Sequence, residues 1–252
     1  MTQVSSLTTQ VDLQKVFAHI PVGPDEPITY AIHGYDEKGV SGKNKRKVLG
    51  DETVKGKKRK RYFFNQVTLH IQLDKTINMK VFNNGGIQMT GLKSTDQGER
   101  AINTFISRVQ SLDPSLQEEI FIDTVQPACK SSRMVMINSD FDLGIQIDRE
   151  ILHRLIIESG HYSSYNRNIY PGVNIKYYYN PDRQSTGICN CHSNGGACDG
   201  KGKADACKKI TVAVFMSGKI IITGGQEMAQ IHTAHEFICR FILDRQECIA
   251  MK

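Results

Sequence analysis

Four of the seven cysteines fall within 19 residues, as Cys189, Cys191, Cys198 and Cys207, with His192 beside the second. The spacing is Cys-x-Cys-His-x5-Cys-x8-Cys. Four soft thiolate ligands can close a tetrahedral structural zinc site. A catalytic zinc would also need an open coordination position and a nearby general acid or base, so a structural zinc is the expectation. The competing reading is a glycine-rich loop with incidental thiols, since Cys-x-Cys is less diagnostic than Cys-x-x-Cys. The overlapping stretch GGACDGK resembles a phosphate loop. However, Gly202 stands where Ser or Thr is required, and no strand precedes it.

A second chemistry lies in charge. Between Tyr35 and Arg61 stand eleven basic side chains (Lys38, Lys43, Lys45, Arg46, Lys47, Lys55, Lys57, Lys58, Arg59, Lys60 and Arg61) against four acidic ones, a local +7 in a chain of net +6. Such a stretch reads as a solvated loop, as a polyanion-binding arm, or through KGKKRKR as a localisation signal. The composition, 39% hydrophobic and 23% charged, supports a real core. No apolar run approaches the roughly 20 residues a membrane span needs. The opening MTQVSSLTTQ has no apolar leader, so reducing surroundings and free thiols are expected.

The elements that position these groups are written twice. Lys75–Ala101 aligns on Lys208–Ala234 without a gap, with 10 of 27 positions identical, among them Phe82/Phe215, Gly85/Gly218 and Thr90-Gly91/Thr223-Gly224. KTINMKVF and KKITVAVF alternate with period two and predict strands, NNGG and MSGK predict turns, and IQMTG and IIITG predict returning strands. A helix follows each copy. Ala101, Ile102, Phe105, Ile106, Val109 and Leu112 share one face in the first, and Met228, Ile231, Ile238, Phe241 and Ile242 in the second. Upstream, Asp12 and Asp148 are candidate caps for helices bearing Leu13, Val16, Phe17 and Ile20, and Ile151, Leu152, Leu155 and Ile156. The unit is β-α-β-β-β-β-α, an α+β class, repeated over about 1–115 and 130–252. The basic stretch at about 35–61 is a gain in the first copy, and the Cys-rich stretch at about 183–208 a gain in the second.

These residues resemble the TATA-box-binding protein family in a divergent form like those of large DNA viruses. The residues carrying the resemblance are VFMSGKIIITG with YNRNIYPGVNIKYYY in the second copy, and FFNQVTLHI with VFNNGGIQMTG in the first. The resemblance implies a pseudo-symmetric saddle of ten antiparallel strands in one curved sheet, with helices on the convex face. Alternation agrees. Phe82 shares a face with Lys80 and Asn78, and Phe64 with Gln66, Thr68 and His70, whereas Val67, Leu69, Ile71, Ile77, Met79 and Val81 take the other. A face of polar groups with isolated aromatics suits a minor groove, where apolar wedges unstack base steps.

Carried over one at a time, the wedges fall on Phe64, Phe82, Tyr170 and Phe215. The hydroxyl of Tyr170 would need a partner when buried, so a weaker kink is expected there. Thr90, Thr223 and Asn138 match base-reading positions, although Asn138 stands two residues beyond the family's central Asn, and the first ten residues offer no clear counterpart. Lys176 and Lys219 match phosphate-contacting cations, and the first copy has His70 and Gly86 in their places. Asn166 and Asn168 replace acids that meet transcription initiation factor B in the family. The implied function is a non-enzymatic minor-groove transcription initiation factor that bends A·T-rich promoter DNA and recruits transcription machinery. The implied partners are double-stranded DNA and a transcription initiation factor B-like protein or RNA polymerase. It would act as a monomer on DNA, without membrane attachment, in a viral factory of the host cytoplasm or a virion if viral, and otherwise in the nucleus. The alternative is a saddle-fold protein that no longer bends DNA and serves as a protein-interaction module.

Overall fold

Alternation along the strands decides which side chains are buried. A computed structural model describes residues 1–39, 63–124, 126–182, 186–189, 191, 198–202 and 206–251. They fall into two units, Met1–Met134 and Val135–Lys252. The first contains β1 (Thr2–Leu7), α1 (Leu13–His19), β2 (Ile28–His33), β3 (Asp36–Gly39), β4 (Gln66–Gln72), β5 (Thr76–Phe82), β6 (Gly86–Thr90), α2 (Thr95–Gln110) and α3 (Pro114–Ile120). Its antiparallel sheet runs β3-β2-β4-β5-β6-β1. β7 (Cys129–Asp142) starts in this unit and ends in the second. The second unit adds α4 (Arg149–Glu158), β8 (Tyr162–Asn166), β9 (Tyr170–Tyr179), β10 (Lys208–Val214), β11 (Lys219–Gly225), α5 (Met228–Leu243) and α6 (Gln246–Ile249), with strand order β7-β11-β10-β9-β8.

Both units follow the expected β-α-β-β-β-β-α order, with three additions. β3 pairs back on β2 inside the stretch read as an inserted basic loop. α3 is a short helix with Pro at its first turn, capped by Asp113, whose Oδ1 accepts the Ser115 N–H at 3.0 Å. α6 is four residues long. Helices this short leave too few turns for a periodic pattern to show.

In the first unit Val67, Leu69, Ile71, Ile77, Met79, Val81, Ile87 and Met89 are buried, packed with Ala101, Ile102, Phe105 and Val109 of α2. In the second, α5 packs on β9, β10 and β11. Ile175, Tyr177, Ile210, Val212, Ile220 and Ile222 are buried there with Ile231, Ala234, Ile238 and Phe241. Each Val, Leu, Ile, Met or Phe side chain so removed from water contributes about 1.5–3 kcal/mol before entropy is counted. Met228, the first residue of α5, departs from its expected place on the helical face and is exposed. The expected caps form. Asp12 accepts from the Lys15 N–H, and Asp148 accepts from the Glu150 and Ile151 N–H groups, each at 3.0 Å.

The repeated glycine has a steric cause. Gly85 and Gly218 lie in the hairpins following β5 and β10 with φ of 76° and 84°. A Cβ at Gly85 would stand 2.1 Å from the Thr9 carbonyl oxygen, and one at Gly218 would stand 2.3 Å from that of Ile145. Neither backbone oxygen can yield as a side chain would. Gly144 also has positive φ, 71°, but open space around its missing Cβ. Gly144→Ala should therefore lose only about 1–2 kcal/mol of urea-unfolding stability, the cost of a left-handed alanine. Gly218→Ala should lose distinctly more. Equal losses would show that the carbonyl contact is immaterial.

Candidate nucleic-acid interface and thiol cluster

The strand face turned away from the helices is open over much of its extent, with Thr2, Tyr30 and Ala213 buried on it, and register aligns its side chains into rows. In the second unit Tyr162, Lys176, Thr211, Thr223 and Asn138 are successive cross-strand partners. The row is hydrogen-bonded internally. Lys176 Nζ donates to Thr211 Oγ1 at 2.9 Å, and Thr223 Oγ1 donates to Asn138 Oδ1 at 2.5 Å. The carbonyl end of Asn138 is thereby occupied, and its NH2 is left as a donor pair. Burial, and then the neighbouring charge of Lys209, lower the pKa of Lys176 from its ordinary value. The next row holds Ser164, Asn174, Ala213, Ile221 and Asp140. The opposite side is assigned by Phe141, whose ring lies 4.5 Å from that of His235 on α5.

The first unit has the matching row Tyr30, His70, Asn78, Thr90 and Thr2. Thr90 and Thr223 therefore take equivalent places, as do His70 and Lys176. Thr2 occupies the position of Asn138, which sequence reasoning left blank in this copy because the match depends on pairing with β6. The His70 ring packs against Tyr30 at 4.8 Å. Tyr30 in turn donates its hydroxyl to Glu37 at 2.6 Å, and burial and this bond push its pKa up to about 12. One row further along, Ile32, Thr68, Lys80, Gln88 and Val4 align. Lys80 thus puts a cation where the second unit has Ala213. It was legible as a residue of the Phe82 face, but only the register shows its central place.

The four aromatics lie at strand ends. Phe82 ends β5, opposite Gln66. Phe64 precedes β4, is 58% exposed, and lies edge-on to Tyr35 at 5.3 Å over the Gly34 turn. Tyr170 begins β9 and Phe215 follows β10; their rings meet edge to face at 5.8 Å over Gly172. Lys219 is exposed and stands opposite Asp142, whose Oδ1 accepts the Gly144 N–H. At the β8–β9 turn Asn166 Oδ1 accepts the Asn168 N–H at 3.1 Å.

Most of the basic stretch, Val40–Tyr62, lies outside the described residues, as does His192. Lys38, counted in that stretch, turns back on the protein. Its Nζ donates to the Ala18 and Ile20 carbonyls and lies 5.2 Å from the Phe17 ring centroid, and burial lowers its pKa.

The Cys-rich stretch grows from the β9–β10 connection. Bridges Tyr178↔Gly187 and Lys201↔Lys208 tie its two ends to those strands. The Sγ atoms of Cys189, Cys191, Cys198 and Cys207 lie within 4.8 Å of one another. The N–H of Cys198 donates to Cys189 Sγ at 3.2 Å, and that of Cys207 to Cys191 Sγ at 3.3 Å. Burial opposes ionisation of Cys189, but hydrogen bonds from the backbone and side chains of Cys198 and Cys191 outweigh it and bring its pKa down to about 7. Burial pushes Cys207 up to about 12. Four convergent thiols with N–H···S support fit the donor set of a structural zinc centre.

The family model described as transcription factor TFIID, or TATA-binding protein, matches residues 133–244, nearly all of the second unit. The fold matches that of Methanococcus jannaschii TBP with a TM-score of 0.52 at 16% identity, covering 96% of this chain and 95% of that one. A "TATA-box-binding protein-like" protein of Acanthamoeba polyphaga mimivirus is 29% identical over 185 residues, 70% of this chain and 47% of the relative. The chain thus spans about half the length of that curated relative. The second unit thus carries the sequence pattern of the TATA-box-binding protein family, and the chain shares the fold of an archaeal TBP.

The contact between Tyr170 and Phe215 can be measured by itself. A double-mutant cycle with Tyr170→Ala and Phe215→Ala should return about 0.5–1.5 kcal/mol of coupling in chemical unfolding. A coupling of zero would mean that the two rings do not rest on each other.

Proposed function

We propose that the chain is a minor-groove DNA-binding factor of transcription initiation that acts by binding and bending, not by catalysis. The observation that carries this reading is the pair of matched polar rows ending in Thr90–Thr2 and Thr223–Asn138, flanked by aromatics on the face opposite the helices. A·T pairs offer only acceptors in the minor groove. The rows supply hydroxyl and amide donors, while Phe64, Phe82, Tyr170 and Phe215 are placed at strand ends to wedge base steps. Lys176, Lys209 and Lys219 in the second unit and Lys80 in the first supply cations for phosphates, supplemented by the basic arm. Partners would be a transcription initiation factor B-like protein or RNA polymerase, bound by a monomer on DNA. The giant-virus relative supports work in a viral factory of the host cytoplasm.

A second reading, an interaction module that no longer bends DNA, is favoured by Asp140 and Asp142 on the open face and by His70 in the place of a lysine. Gel-shift and circular-permutation bending assays on A·T-rich and G·C-rich duplexes separate the two. Unstacking costs a few kcal/mol per step and must be offset by apolar insertion. Phe215→Ala and Phe82→Ala should therefore reduce the bend angle while the fold persists. Normal bending by both variants would remove the wedge assignment, and absence of duplex binding by the parent chain would favour the interaction module.

We also infer a structural zinc held by Cys189, Cys191, Cys198 and Cys207. It would hold the two ends of the insertion against β9 and β10. Protein purified under reducing conditions should contain about one zinc per chain, and Cys198→Ser should lose it. Metal-free reduced protein would refute the site.

A further inference from the structure

One side chain on the open face runs against the donor pattern of its neighbours. Asp140 lies on β7 two residues beyond Asn138, on the same face, and is exposed. Its cross-strand partner is Ile221, an apolar residue. Among the described residues no group donates to its carboxylate and no cation pairs with it. Asp142, the next on that face, accepts the Gly144 N–H and stands opposite Lys219. Asp140 instead borders a hollow of about 520 Å³ that Asn138, Phe215, Lys219 and Ile221 also line.

An ionised carboxylate only accepts hydrogen bonds. Set against A·T pairs, whose minor-groove edges are also acceptors only, it would be dehydrated without a partner. One base edge in that groove donates, the N2 amino group of guanine. We propose that Asp140 is a specificity-determining residue that accepts a hydrogen bond from a guanine N2 amino group. The second unit then selects one G·C pair beside the A·T step read by Thr223 and Asn138. Two residues of strand advance about 6.6 Å, roughly two base-pair rises of about 3.4 Å, which carries Asp140 past the two pairs of that step. The selection belongs to the second unit alone. In the first unit the equivalent place holds Val4, beside Gln88 and Lys80, and no carboxylate.

The proposal rests on the minor-groove reading, and the experiment keeps the two apart. Random duplexes are selected with the full chain and with Asp140→Ala, and the enriched site is then tested with guanine replaced by inosine. Inosine pairs with cytosine but lacks the N2 amino group. The parent chain should enrich an A·T-rich site containing one G·C pair and lose roughly tenfold in affinity on inosine substitution, the worth of one hydrogen bond to a charged group. Asp140→Ala should bind guanine and inosine sites equally, with the urea midpoint of the parent. An enriched site without G·C, a neutral inosine substitution, or a guanine preference that survives Asp140→Ala would overturn the Asp140 assignment and leave DNA binding standing. Failure to enrich any duplex would overturn both.

Discussion

The open face exists because the other face is sealed. Val67, Leu69, Ile71, Ile77, Met79 and Val81 are fully buried in the first unit, as are Ile175, Ile210, Val212, Ile220 and Ile222 in the second. A strand register cannot slip by one residue without turning this whole set into water. Burial on the helical side therefore holds the hydrogen-bonded rows on the opposite side in place. Thr223 meets Asn138, and Lys176 meets Thr211, as a consequence of apolar burial one residue away along each strand. The polar groups need contribute little to stability to be well positioned.

The two units use the same scaffold with different chemistry. Thr90 and Thr223 are equivalent, but Lys176 answers to His70, which packs on the ring of Tyr30. Lys80 answers to Ala213, and Val4 to Asp140. The turn glycines are the positions where the copies cannot differ freely, because a backbone carbonyl closes the space beside Gly85 and Gly218. Duplication with constant turns and variable rows lets one fold carry two chemically unlike faces. The family model matches the second unit, where the cation and the Phe-x-x-Gly-Lys turn both remain.

The insertion between β9 and β10 is placed where it does least harm. Its bridges to Tyr178 and Lys208 continue the hairpin ladder away from Tyr170 and Phe215, which sit at the opposite ends of those strands. Four thiols converge there, and of these Cys207 is buried.

Local pattern was enough for much of this molecule. Period-two alternation marked β4, β5, β10 and β11 and their buried faces; helical spacing marked α2, α4 and α5; Asp12, Asp148 and the repeated glycines marked ends and turns. The thiol cluster was legible as a spacing, and the aromatics as a repeated one. What sequence could not supply was partnership between strands. That Thr2 stands where Asn138 does, that Lys80 is central, that Tyr30 covers His70, that Lys38 turns back to α1, and that Asp140 faces Ile221 with no cation beside it among the described residues all follow from register and packing. These depend on which residues of distant segments come to lie side by side, and that is decided by burying the apolar faces together, a property of the folded chain and not of any stretch of it.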